Sequence, residues 1–261
     1  MGPKLKRVTA AFEIFRAGTA PSAQSRGAAR ALRLASFATS ALTLLLAGCP
    51  QHPGAPAGPR GQAIPGAHLG RPYDVVAGES LLTILVYRAG PLAKAGHNHV
   101  IASHELSGTI YVPTDLMRTT FEVRVPVGGM TVDEAALRAQ EGADFSADVP
   151  DSARDGTRRN MLGQALLDAE RFPQIVLQSE RLEPHAGGQL EAHVQVQVKE
   201  SPHSIVAPVR YEMKSDELVI SGEMPLRQTD LGLTPFSALL GALQVQDEMR
   251  VKFHIVARAA H

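Results

Sequence analysis

The stretch Leu190-Glu-Ala-His-Val-Gln-Val-Gln-Val-Lys199 alternates apolar and polar side chains without a break. Successive side chains on a strand point to opposite faces. Leu190, Ala192, Val194, Val196 and Val198 therefore share one face, with Glu191, His193, Gln195, Gln197 and Lys199 on the other. The same period of two recurs in Phe121, Val123, Val125 and Val127, interleaved with Glu122 and Arg124. It returns in Val251, Phe253, Ile255 and Ala257, interleaved with Lys252 and His254. Further strands are expected at 80–88, 98–112, 174–182, 204–213 and 217–228. Short polar turns at 184–188 and 214–216 separate neighbours, which predicts an antiparallel meander of about eight strands.

Each of these strands has one greasy face, and two architectures bury such faces. The expectation is an all-β, antiparallel, eight-stranded β-barrel, which removes its edges by closing on itself. A β-sandwich is the rival. The two differ in their interior, since a barrel of this size either encloses a small ligand or fills with its own side chains. The strand series is interrupted once, at 132–172. There Met161, Leu162, Ala165, Leu166 and Ala169 recur at helical spacing between Asp151 and Pro173, which predicts a helix of about 15 residues over one end of the barrel. A shorter helical piece is expected near 133–140 and another short helix at 235–243.

The amino-terminal region reads differently. Leu34-Ala-Ser-Phe-Ala-Thr-Ser-Ala-Leu-Thr-Leu-Leu-Leu-Ala-Gly48 is uncharged and follows Arg26, Arg30 and Arg33. That is the layout of a secretory signal peptide at 1–48, too short for the ~20 apolar residues of a stable transmembrane helix. Its basic lead is long, and a start codon further downstream would give it ordinary length. Leu46-Ala47-Gly48-Cys49 resembles the bacterial lipobox, which makes Cys49 the expected lipid-attachment residue. Residues 49–72 are rich in Pro and Gly and nearly free of large apolar groups, the composition of a tether rather than a core. Pro50, rather than Asp, after the cleavage point is similar to the pattern that sorts lipoproteins to the outer membrane. The expected location is the periplasmic face of that membrane, held through acylated Cys49.

The 261 residues carry 26 Lys+Arg and 26 Asp+Glu, with 44% hydrophobic residues. The balance conceals a segregation. Seven basic groups and one acid, Glu13, fall in 1–48, so the remaining 19 basic and 25 acidic groups leave the rest of the chain at −6. A nucleic-acid partner, which demands an excess of Lys and Arg, is disfavoured. The one Cys rules out a disulfide framework and a Cys-based zinc or iron–sulfur centre.

Several segments resemble the YceI family of periplasmic, polyisoprenoid-binding, lipocalin-like barrels. Tyr73-Asp-Val leads into the first long strand, and Leu106-Ser-Gly-Thr-Ile forms a glycine-containing one. Met161-Leu-Gly-Gln-Ala-Leu-Leu-Asp-Ala-Glu-Arg-Phe-Pro-Gln-Ile is similar to the family's passage from helix into an aromatic-Pro-x-Ile strand start. Gly222-Glu-Met-Pro-Leu-Arg-Gln-Thr-Asp-Leu-Gly-Leu is similar to its arginine-to-Asp-aromatic-Gly segment, with Leu231 where the aromatic usually stands. Glu200-Ser-Pro-His203 replaces the family's Gly-Val-Thr turn. The resemblance spans 73–258 and implies a lipid-anchored binding protein for an isoprenoid-type lipid, polyprenyl or quinone-like. Each buried CH2-sized group contributes ~0.8 kcal/mol, so a few isoprene units offset the ~4–15 kcal/mol cost of association. The apolar lining is expected from Phe121, Val123, Val125, Val194, Val196, Phe253 and Ile255, with Phe236, Leu239 and Leu240 near a mouth.

The alternative reading starts from Gly96-His97-Asn98-His99. On a strand His97 and His99 project to one face, ~7 Å apart at ~3.3 Å per residue, a geometry that chelates a transition metal if a third ligand arrives. His203 and Asp115 are the candidates for that role, while His104 points the other way. A periplasmic metal-binding protein or metal-dependent enzyme would use this pair. Metal is the less favoured outcome, no cofactor is required, and an enzyme is not expected. His104-Glu105 lacks the second His of a zinc protease, and no nucleophile elbow, P-loop or dinucleotide fingerprint occurs. A local ion pair between Arg227 and Asp230 is expected to fix the turn that follows 217–228. Protein partners are left open, a homodimer among them.

Overall fold

The computed structural model describes residues 68–146 and 148–260. The expected signal peptide, Cys49 and most of the tether lie outside the described residues. Strands β1 (Arg71–Val75), β2 (Leu81–Val86), β3 (Arg88–Ala89), β4 (His99–Ser103), β5 (Ser107–Val112), β6 (Thr120–Pro126) and β7 (Thr131–Val132) precede helices α1 (Ala135–Arg138) and α2 (Asp151–Leu162). After the helices come β8 (Gln174–Pro184), β9 (Leu190–Val198), β10 (Ser201–Lys214), β11 (Glu217–Arg227), β12 (Ser237–Ala238), β13 (Leu243–Val245) and β14 (Glu248–Ala259). Arg71 and Pro72, expected to end the tether, already form the first strand.

The large sheet runs β1-β5-β6-β8-β9-β10-β11-β14 and closes through an antiparallel β1–β14 pairing, Tyr73 opposite Ala259. This is an eight-stranded up-and-down barrel, not a sandwich. Strands β2, β4 and β7 are not extra staves. They continue β1, β5 and β6 past bends at 76–80, 104–106 and 127–130, so that β2 takes up pairing with β14 where β1 leaves it. Ser80 fills the break. Its buried hydroxyl accepts from the Val256 N–H at 3.1 Å, which supplies the acceptor the interrupted ladder lacks.

Alternation places the expected faces inward, with one shift. Between Ser179 and Arg181 the β8–β9 register slips, and an extra residue at a bulge reverses the facing of everything after it. Leu177 and Leu182 therefore both point into the barrel although one is odd and one even. The register defines two ends. The mouth end carries Val112, the 184–190 turn and the β10–β11 turn. The closed end carries Pro126, the β9–β10 turn and the β11–β14 connection.

The closed end is plugged by the inserted segment. Helix α2 begins at Asp151 as expected but stops at Leu162, because Gly163 turns to an extended ψ of 164°. Residues 163–172 proceed in turns, which still bring Leu166, Leu167 and Ala169 onto the core with Met161 and Leu162. The apolar spacing was a packing signal there, not a continuous helix. The helix expected at 235–243 is instead the short hairpin β12–β13, paired to β3. Leu239 and Leu240 have φ of 52° and 55°, a left-handed conformation that a right-handed helix cannot contain. The turn after β11 is also held differently from expectation. Asp247, rather than an Arg227–Asp230 pair, accepts from the Thr229 N–H at 2.9 Å and the Thr229 hydroxyl at 2.7 Å.

Candidate functional site

Inside the barrel lies a cavity of about 170 Å³ whose wall is almost wholly apolar. Phe121, Val123 and Val125 line it from β6, Val194 from β9, and Phe253 and Ile255 from β14, as the alternation predicts. Val196 faces inward but does not reach it. It is buried with Val198, Met161, Leu167 and Leu231 in the packed core, where the inserted segment plugs the barrel beneath the cavity. Phe236, Leu239 and Leu240 are absent from the wall and lie beyond the closed end, opposite the mouth. Leu239 is 69% exposed and Leu240 fully so, because their left-handed backbone turns the hairpin tip to solvent.

The mouth is made by residues the alternation left unassigned. Leu116 and Thr119 come from the loop between β5 and β6, while Tyr211 and Met213 end the inward row of β10 and are exposed. The row Ile205, Ala207, Val209, Tyr211, Met213 carries the period of two and was readable as lining. The loop residues give no such signal, since nothing periodic locates them. Small residues keep the middle of the barrel open. Ala192 and Ala207 contribute wall without bulk. Gly222, directly opposite Phe253, has no side chain, and the Phe253 ring tip occupies the position its Cβ would take, 2.3 Å away. The aromatic ring is thereby accommodated over the wall at Gly222.

The interior holds little polarity. Among the described residues, Ser103 Oγ is the buried side-chain polar atom that lacks a hydrogen-bond partner, and its register opposite Leu82 places it on the inward face.

The histidine motif builds something else. His99 Nδ1 lies 2.6 Å from Asp133 Oδ2, and Nε2 lies 3.1 Å from Thr157 Oγ1 on α2. Asp133 also accepts from the Val100 N–H at 2.9 Å and from Arg138 Nη1 at 2.6 Å, and its side chain is completely enclosed. Arg138 in turn donates to the carbonyls of Asn98 and Phe145. Burial pushes the Asp133 pKa up, but the hydrogen bonds from His99, Val100 and Arg138 outweigh it and hold the carboxyl below its ordinary range. None of these groups lines the cavity. The Asp133–His99–Thr157 series has the outline of a hydrolase relay, yet it is spent on tying β4, α1 and α2 together.

Both ring nitrogens of His99 are thus engaged within the protein, which corrects the expectation that His97 and His99 form an open chelating pair. Their rings stand 6.1 Å apart and tilted by 59°. Burial, reinforced by His99, Arg88 and Arg138, lowers the pKa of His97. The suggested third ligands are occupied elsewhere. Asp115 accepts from the Met117 N–H, and the His203 ring packs against Gly232.

The model of the YceI-like domain matches residues 94–257, more than half of the chain. The chain belongs to the YceI-like family. Among solved structures, the YceI-like barrel is similar to Burkholderia cenocepacia BcnA, with 15% identity over 70% of this chain and 98% of that one and a TM-score of 0.52. It also matches a polyisoprenoid binding domain from Saccharophagus degradans, 10% identical over 72% of this chain and 98% of that one, TM-score 0.48. A Campylobacter jejuni YceI protein aligns at 8% identity over 60% and 82%, TM-score 0.43. No curated protein matches the sequence. At these identities BcnA supports the fold alone, and the ligand of the YceI-like barrel has to be argued from its own cavity.

Proposed function

We propose that this YceI-like protein is an exported, lipid-anchored binding protein that holds an isoprenoid-type lipid in its barrel. The observation that carries the reading is the hollow interior of a closed barrel, its wall almost wholly apolar and its mouth bordered by exposed Tyr211 and Met213. A dry cavity of about 150 Å³ lined by Leu, Ile and Phe binds benzene, so 170 Å³ suits a ring or one branched isoprene segment. The rest of a longer tail lies along the mouth between Leu116, Tyr211 and Met213. Burial of such carbons, with almost no polar group to desolvate on the wall, favours a hydrocarbon over a polar metabolite. The polyisoprenoid binding named for the Saccharophagus degradans domain points the same way.

The anchor fits this arrangement. Arg71, at the start of β1, pairs with Val112, so the tether joins the barrel at its mouth end. With Cys49 acylated, the mouth end is the end of the barrel that the tether links to the membrane from which a lipid would be drawn. Protein purified from membranes is expected to show, by native mass spectrometry, an added apolar mass that disappears after organic extraction. A spectrum identical before and after extraction would sink the reading. Metabolic labelling with a palmitate analogue is expected to mark the wild type and to spare Cys49→Ala.

A further inference from the structure

The outer face of the β8–β9 hairpin, at the mouth end, carries a second cluster that the lipid reading does not use. Glu183 and Glu191 are directly opposite across the two strands, and His193 is opposite Arg181. One ligand atom from each of Glu183, Glu191 and His193 falls within 4.8 Å of the other two. His185, in the turn, places Nδ1 2.9 Å from Glu191 Oε1. One imidazole and two carboxylates thus converge from one hairpin, with a second imidazole, His185, held against Glu191 at its edge, a nitrogen–oxygen donor set that suits tetrahedral zinc.

The contacts around His193 Nε2 are mismatched. Glu183 Oε2, an acceptor, lies 3.3 Å away, and Arg181 Nη2, a donor, lies 3.2 Å away. A ring nitrogen carries either a proton or a lone pair, so one of the two contacts is unmatched in either tautomer. A cation at the centre would take the lone pair and both carboxylates at once. Arg181, 56% exposed and also bonded to Glu183 at 2.8 Å, supplies that positive charge now and is free to swing into solvent.

We propose that Glu183, Glu191, His193 and His185 form a zinc-class divalent metal site, with Arg181 as the side chain that the ion displaces. Leu182 and Leu190, which line the cavity mouth, alternate with these ligands on the same two strands, so the ion would clamp the hairpin that borders the mouth.

Isothermal titration of the untagged full-length chain with zinc chloride at neutral pH tests this. One equivalent is expected to bind saturably. His193→Ala and the near-isosteric Glu191→Gln are each expected to weaken it at least ~10-fold, the scale seen even for partners of a ligand. His97→Ala is expected to bind as the wild type, and Arg181→Ala more tightly, since the competing cation is gone. Absence of saturable uptake would overturn the proposal. So would wild-type affinity in Glu191→Gln, where the altered group leaves the fold's packing in place, or weaker binding in Arg181→Ala.

Discussion

At the closed end of the barrel an enclosed carboxylate, Asp133, gathers an imidazole, a guanidinium and a backbone N–H, and the inserted segment adds Met161 and Leu167 to the buried core. At the mouth end the inner wall is almost wholly apolar, and the ties are surface ion pairs such as Arg71–Asp216 and Arg258–Glu79. Exposed pairs of that kind contribute ~0–1 kcal/mol. An enclosed charge that loses its partner costs several times more. The difference separates two jobs. Stability is concentrated where the helical insertion docks, which leaves the opposite half of the barrel free to keep a hole in it.

Asp133→Ala should break this division most severely. It strands His99 and Arg138 without their carboxylate, and a loss of about 3–5 kcal/mol is expected, read as a fall in the midpoint of urea unfolding. A change below ~1 kcal/mol would mean that the network is incidental.

The same carboxylate sets an acid limit. Its folded pKa lies below the ordinary 3.8, so its stabilisation is complete above that value and is lost as pH falls through the folded pKa. Acid unfolding followed by circular dichroism should therefore steepen below about pH 4 in the wild type, and Asp133→Asn should lack that part of the dependence.

At the other end, Ala192→Phe places a ring in the hollow. Stability is expected to change by only about 1–2 kcal/mol, because the ring has a cavity to enter, while the co-purified apolar mass is lost. Retention of the ligand would show that it lies elsewhere. Leu240→Asn, at the exposed hairpin tip, sharpens the contrast from the weak side. Asn tolerates the left-handed backbone better than Leu, so a gain under ~1 kcal/mol in thermal unfolding is expected, with ligand content unchanged.

Much of the barrel was legible because a strand half-buried in an antiparallel sheet writes its environment into every second residue. The runs around Val123, Val194 and Phe253 needed no partner to be recognised, and all three line the cavity. Val196 shows where that logic stops. Period two tells inward from outward, but the depth at which the core ends and the hollow begins depends on how α2 and the 163–172 turns plug the closed end. Leu239 and Leu240 were misread for a related reason. An apolar run flanking Gly241 fits a helix by composition, but the chain reverses there between β12 and β13, and the positive φ values of that turn forbid one. His97 and His99 looked like a pair of ligands because spacing along a strand ignores what arrives from across the sequence, in this case Asp133 and Thr157.

By itself, then, the sequence settled local facts: which segments are strands, which side of each is greasy, and which family the chain resembles. These follow from nearest-neighbour geometry, where successive side chains alternate whatever lies beyond them. The tertiary structure decided the rest, namely that eight staves close, that one end is packed and the other hollow, and that His99 supports a buried carboxylate. Those outcomes depend on contacts between residues tens to more than a hundred positions apart, and no periodicity along the chain encodes the distance across it.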